Sequence, residues 1–118
     1  MDIETIREYC LNKKAVFECF PFDDVNLVFK VVDRMFALID LEKPDRICLK
    51  CNPEYAIELR ERYNGIDGAY HFNKKYWNQV QLEEDVPDSL ILKLIDHSYE
   101  EVIKKFTRKQ KEAYHELS

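Results

Sequence analysis

One segment gathers most of the side chains able to hold a ligand: Tyr70-His71-Phe72-Asn73-Lys74-Lys75-Tyr76-Trp77-Asn78-Gln79-Val80. Lysines and backbone N–H groups there can hold a phosphate, Trp77 or Tyr76 can stack a base, and Asn78 can read a base edge. His71 draws notice because Asn73, Lys74, Lys75, Trp77 and Asn78 crowd around it. A plainer account has Trp77 sealing the core, the lysines solvated and the amides capping a turn. It is the favoured one, since aromatics in antiparallel strands mostly pack.

Two other constellations have suggestive residue types. Asp96-His97-Ser98 has the composition of a hydrolytic triad, but neighbours on a helix splay about 100° apart and cannot converge. His97 and His115 therefore read as solvated surface residues. Cys48-Leu49-Lys50-Cys51 has redox or metal spacing. Zinc needs two more ligands, and Cys10 and Cys19 form no second tight pair. Residues three apart in a strand face opposite sides, which turns Cys48 away from Cys51. The four cysteines read as reduced structural thiols. With only two glycines there is no phosphate-cradling loop. No catalytic residue, metal site or cofactor is expected, and the chain reads as a non-enzyme.

Charge narrows the partners. Eighteen Lys+Arg stand against 23 Asp+Glu, a net charge of −5, and strong nucleic-acid binding normally needs a basic face. The densest cation cluster is Lys104, Lys105, Arg108, Lys109 and Lys111; Glu83-Glu84-Asp85 with Asp88 forms the opposite pole. No apolar run reaches the roughly 18 residues of a membrane span, and the opening residues lack a signal-segment pattern. A cytoplasmic protein without membrane contact is expected.

The elements that must position these residues follow from periodicity and turn chemistry. A first helix spans 2–13, capped by Asp2. Phe17, Phe20 and Phe22 around Pro21 suggest a fixed corner whose rings plug the core edge. Strands follow over 25–32 and 35–41, joined at Asp33-Arg34, and over 46–51. Asn52-Pro53-Glu54 opens a second helix to about Tyr63. A second strand pair is expected over 71–73 and 75–82. Leu90, Ile91, Leu94, Ile95, Ser98, Tyr99, Val102, Ile103 and Phe106 make the stripe of a long helix, and 108–117 reads as a loosely attached last helix. The expected class is α+β: one domain over 1–118, two layers, an antiparallel five-stranded sheet with helices on one face, order α-β-β-β-α-β-β-α.

Phe20-Pro21-Phe22, Leu27-Val28-Phe29-Lys30-Val31, Leu49-Lys50-Cys51-Asn52-Pro53-Glu54, His71 to Asn78 and Asp96-His97-Ser98-Tyr99, taken in order, resemble the MmcQ/YjbR family of small bacterial proteins over nearly the whole chain. The resemblance implies a secretion-chaperone-like or CyaY-like fold and a DNA-binding role with strand hairpins as paired wings. Three functions follow as expectations. In the first, Lys30, Arg34, Lys74 and Lys75 contact phosphates, with His71, Asn73, Trp77 and Asn78 near the bases, in weak, salt-sensitive DNA binding. In the second, a monomer or weak homodimer acts as an adaptor holding an extended peptide. The third, a small-ligand role around His71 and the thiols, requires a real pocket.

Overall fold

The computed structural model describes residues 1–70 and 72–117. Within them the chain runs α1 (Ile3–Leu11), β1 (Val16–Cys19), β2 (Asn26–Val31), β3 (Arg34–Asp40), β4 (Arg46–Lys50), α2 (Pro53–Arg62), β5 (Ile66–Gly68), β6 (Trp77–Gln81), α3 (Asp88–Lys104) and α4 (Arg108–Glu116). The α+β class and the helices on one face agree with expectation. Among the described residues the antiparallel sheet has six strands rather than five, in the order β1-β2-β3-β4-β6-β5.

The extra strand is β1, where a ring-filled corner was expected. It pairs Val16 with Val31 and Cys19 with Val28, and Phe17, Phe20 and Phe22 are exposed instead of plugging the core. Four residues are too few for alternation to show. The strand gains its ladder from β2, and Arg7 of α1 clamps Glu18 through its Nε and Nη2. The second strand pair is also re-registered: β6 pairs with Ile66–Gly68, while Phe72 and Asn73 lie in the intervening loop. Gly68 is poor strand material, yet a Cβ there would come within 2.9 Å of Lys74 Cγ. The first hairpin turns at Val32-Asp33 rather than Asp33-Arg34. Val32 has φ 61, an uncommon backbone for a β-branched residue. Its N–H donates to the Ala15 carbonyl, and Asp33 accepts from Gln110.

Alternation assigns the two sheet faces. Leu27, Phe29, Val31, Ala37, Ile39, Ile47, Leu49, Ile66 and Val80 meet Ile6 and Cys10 of α1, Ala56 and Leu59 of α2, and the α3 stripe. Each fully buried Ile or Leu side chain contributes about 1.5–3 kcal/mol, so this layer dominates stability. Among the described residues no helix covers the other face.

Four consecutive α3 residues tie the layers together. Asp96 accepts from the Tyr9 hydroxyl (2.7 Å) and Lys13. The Asn52 N–H, at the start of α2, donates to His97 Nε2 (3.1 Å). Ser98, fully buried, accepts from the Lys50 N–H (2.9 Å) and donates to the Phe36 carbonyl. The Tyr99 hydroxyl donates to the Lys14 carbonyl and bonds the Tyr114 hydroxyl, and its ring meets Phe36 edge-on. His97 is thus half-buried, not the solvated residue expected from its helical position. α4 is tied rather than loose: a Thr107–Gln110 capping box starts it, and Tyr114 packs on Phe106 and under Lys14.

Ser98→Ala would leave a buried N–H and a buried carbonyl without their partner, and is expected to cost about 2–4 kcal/mol in urea unfolding. Burial pushes the His97 pKa below its usual value, and protonation would set an N–H against the Asn52 N–H. The unfolded chain therefore takes up this proton first, near pH 6.5. The contribution is full above that pH and is lost as pH falls towards the folded value. NMR titration should place the His97 midpoint below 6.5, and the loss of stability between pH 7.5 and about 5.5 should shrink in His97→Gln.

Candidate nucleic-acid interface

The helix-free face presents its side chains in rows across the strands. At one end the registers place Phe17 beside Lys30, Lys30 beside Met35, and Lys50 beside Trp77, so cations alternate with apolar side chains. The β3–β4 ladder pairs only Ala37 with Leu49 and Leu38 with Cys48. Toward this end Ser98 bridges the opening strands, and Phe36 is an extra residue that bulges towards Tyr99.

More cations converge here from outside the sheet. Lys75 Nζ lies 5.5 Å from the Tyr76 ring centroid, and Lys105 Nζ, just beyond α3, lies 5.0 Å from it. Both distances suit cation–π attraction. The Lys50 pKa is lowered by burial first, then by the positive fields of Lys105 and Arg34, with Glu101 opposing. Glu101 is buried and ion-paired with Lys104. Among the described residues, Lys30, Arg34, Lys50, Lys75 and Lys105 make no ion pair within 4.0 Å. Cations grouped without direct ion pairs, with Glu101 the nearby acid, form the kind of footprint that an anionic polymer neutralises.

The residues singled out in the sequence separate. Lys75 joins the cluster directly and Lys30 stands in the row of Lys50, while Arg34, opposite the core residue Val31 and so on the helix side of this end, reaches it through its field on Lys50. Trp77 is half-buried and stacks on Phe72, centroids 5.0 Å apart and planes 27° from parallel. Asn73 caps the turn: its Oδ1 accepts from the Lys75 amide, and its carbonyl accepts from the Tyr76 and Trp77 amides. Lys74 is exposed with its methylenes against Gly68. Asn78 does not join them. It is 2% exposed, accepts from Arg60 Nε (2.7 Å) and donates to the Ala56 carbonyl. His71 lies outside the described residues.

Lys50 and Lys105 were not selected from the sequence, and Tyr76 was read there only as a possible stacking surface. Lys105 belonged to a noted cation run, but no local pattern places the end of α3 over Tyr76. The alternation of Trp77 and Asn78 did carry a signal, since consecutive strand residues cannot both face a ligand.

A cleft of about 740 Å³ opens on the same sheet face. Leu38, Cys48 and Gln79 belong to the row adjacent to the cationic one, and Asn26, Asp40 and Arg46 to the next. Phe22, Tyr70, Phe72 and Lys43 complete the walls. Burial pushes the Cys48 thiol up to about 11, so it is a neutral S–H at pH 7. Cys51 lies in the core on the other side of β4.

Comparison with known proteins gives concordant matches. The family model YjbR matches residues 11–101. The uncharacterized Escherichia coli K12 protein YjbR is 32% identical over 104 residues, covering 87% of this chain and 88% of the relative. The crystal structure of Deinococcus radiodurans protein DR2400, carrying the family-model domain DUF419, is similar with a TM-score of 0.88 and 39% identity. It covers 97% of this chain and 88% of that one. A Pseudomonas syringae crystal structure is similar with a TM-score of 0.69 and 29% identity, covering 83% and 96%.

Asn78→Ala would strip a hydrogen-bond partner from Arg60 and from the Ala56 carbonyl. It should lower unfolding free energy by about 1–3 kcal/mol in urea titration.

Proposed function

The chain belongs to the YjbR family, and from the geometry of the cationic end of its sheet we propose that it is a non-enzymatic module that binds nucleic acid. The observation that carries this reading is the convergence of Lys75 and Lys105 on the Tyr76 ring, beside Lys50, Arg34 and the Phe72–Trp77 stack. Lysines and arginine supply sequence-independent phosphate contacts, and the adjacent rings supply stacking surface. The overall acidity does not oppose this, because counterion release depends on the local field. Lys30, Lys50, Lys75, Lys105 and Arg34 contact phosphates; Tyr76 and Trp77 contact sugars or bases. His71, Asn73 and Lys74 border this surface in sequence, and Asn78 supports it from behind.

An adaptor role would instead use the unpaired edges of β1 and β5, where a peptide could add as a strand. Such binding would depend little on salt.

Fluorescence anisotropy with labelled DNA should show affinity falling steeply with salt. Lys75→Ala combined with Lys105→Ala should reduce the slope of log K against log salt by about 1.4–1.8, at 0.7–0.9 for each lost phosphate contact. Salt-independent binding, or an unchanged slope in the double variant, would overturn the reading.

A further inference from the structure

The cleft beside the cationic row has features that phosphate binding alone does not explain. One ring at its mouth stands largely in solvent: Phe22 is 64% exposed. A ring left this open gives up burial that would otherwise stabilise the fold, and it is the kind of side chain on which a base stacks. Phe72 forms a further wall, and its ring is also the one stacked on Trp77, so a single ring pair separates the cleft from the cationic end.

The polar lining suits a neutral hydrogen-bonding ring rather than an anion. Its charged members are Asp40, Lys43 and Arg46. Arg46 is held by Asp45 through Nε–Oδ1 (2.9 Å) and Nη2–Oδ2 (3.2 Å). Two positive charges therefore face two negative ones, with no net field to draw a phosphate inside. Among the described residues, the Gln79 amide makes no hydrogen bond and lines the floor beside the neutral Cys48 thiol, while Asn26 uses its Nδ2 on Asp23 and its Oδ1 accepts from no group. Gln and Asn amides present the paired donor and acceptor that match base edges.

We infer that the cleft is a nucleobase pocket, and that the ligand of this face is single-stranded nucleic acid with its phosphates on the Lys50–Lys105 end and an unstacked base between Phe22, Tyr70 and Phe72. This deepens the proposed function and rests on it. Geometry permits one short strand to reach both places: Lys50 and Arg46 lie on the same row-direction of β4, four residues or about 13 Å apart. A volume of 740 Å³ falls within the roughly 300–1,000 Å³ typical of ligand sites. A paired base in duplex DNA could not enter without leaving its stack.

The test compares three labelled probes at one salt concentration: a single strand of about 12 nucleotides, its duplex, and an abasic strand of equal length carrying the same phosphates. The single strand should bind about tenfold tighter than the abasic strand and the duplex. Phe22→Ala combined with Gln79→Leu, at an exposed and a half-buried position, should bring single-strand affinity down to the abasic level with the salt slope unchanged. In the unaltered protein, the NMR signals of the Gln79 side-chain amide should shift with the single strand and stay fixed with the abasic one. Equal affinity for all three probes, with Gln79 unmoved, would overturn the pocket while leaving the phosphate interface standing. Failure of every probe to bind in a salt-sensitive way would remove both.

Discussion

One hydroxyl holds the two layers in register. Between β3 and β4 the strand ladder is short, and toward the cationic end a carbonyl and an N–H would be left buried and unpaired. Ser98 of α3 fills the gap, accepting from Lys50 and donating to Phe36. The strands can therefore splay, Phe36 can bulge onto Tyr99, and Lys50 and Arg34 end close enough for their fields to interact. A buried polar bridge of this kind is stable only when fully satisfied, which ties the placement of the cationic end to the seating of α3. Asp96, His97 and Tyr99 extend the same constraint to α1, α2 and α4.

The molecule divides its chemistry between the faces of one sheet. The helix side is an apolar core closed by three helices. The other side stays open, although Val28 and Leu38 on it are buried among neighbouring side chains. That side carries the ring-lined cleft and the cationic row. Such a surface is costly to leave uncovered unless it meets a partner, because exposed rings forgo burial and grouped cations repel.

Net charge misleads here for a physical reason. Several acids are committed to local structure: Asp23 accepts from the Val25 and Asn26 amides, Asp85 from Asn64 and Gly65, and Glu83 and Asp88 flank the terminal amine. Among the described residues, Lys30, Arg34, Lys50, Lys75 and Lys105 at the sheet end make no ion pair within 4.0 Å. A local grouping of cations of this kind is averaged away in a count of charges over the sequence.

Elements specified by local chemistry were legible in the sequence: the Asn52-Pro53 start of α2, the apolar stripe of α3, the β-rich apolar runs of β2 and β3, and the alternation along β4. The fold class follows from their order. β1 and β5 were not legible, since strands of four and three residues carry no periodicity and gain their ladders from a neighbouring strand. The site divides similarly. Residue types in the segment from Tyr70 to Val80 marked a cationic, ring-bearing surface, but Trp77 and Asn78 were read together there, although period-two alternation puts them on opposite faces. Only the tertiary structure could bring Lys105 over Tyr76, turn His97 and Ser98 inward as struts, and hollow a cleft beside them. Those outcomes depend on contacts between residues 29 to 62 positions apart, set by how α3 lies on the sheet rather than by any local pattern.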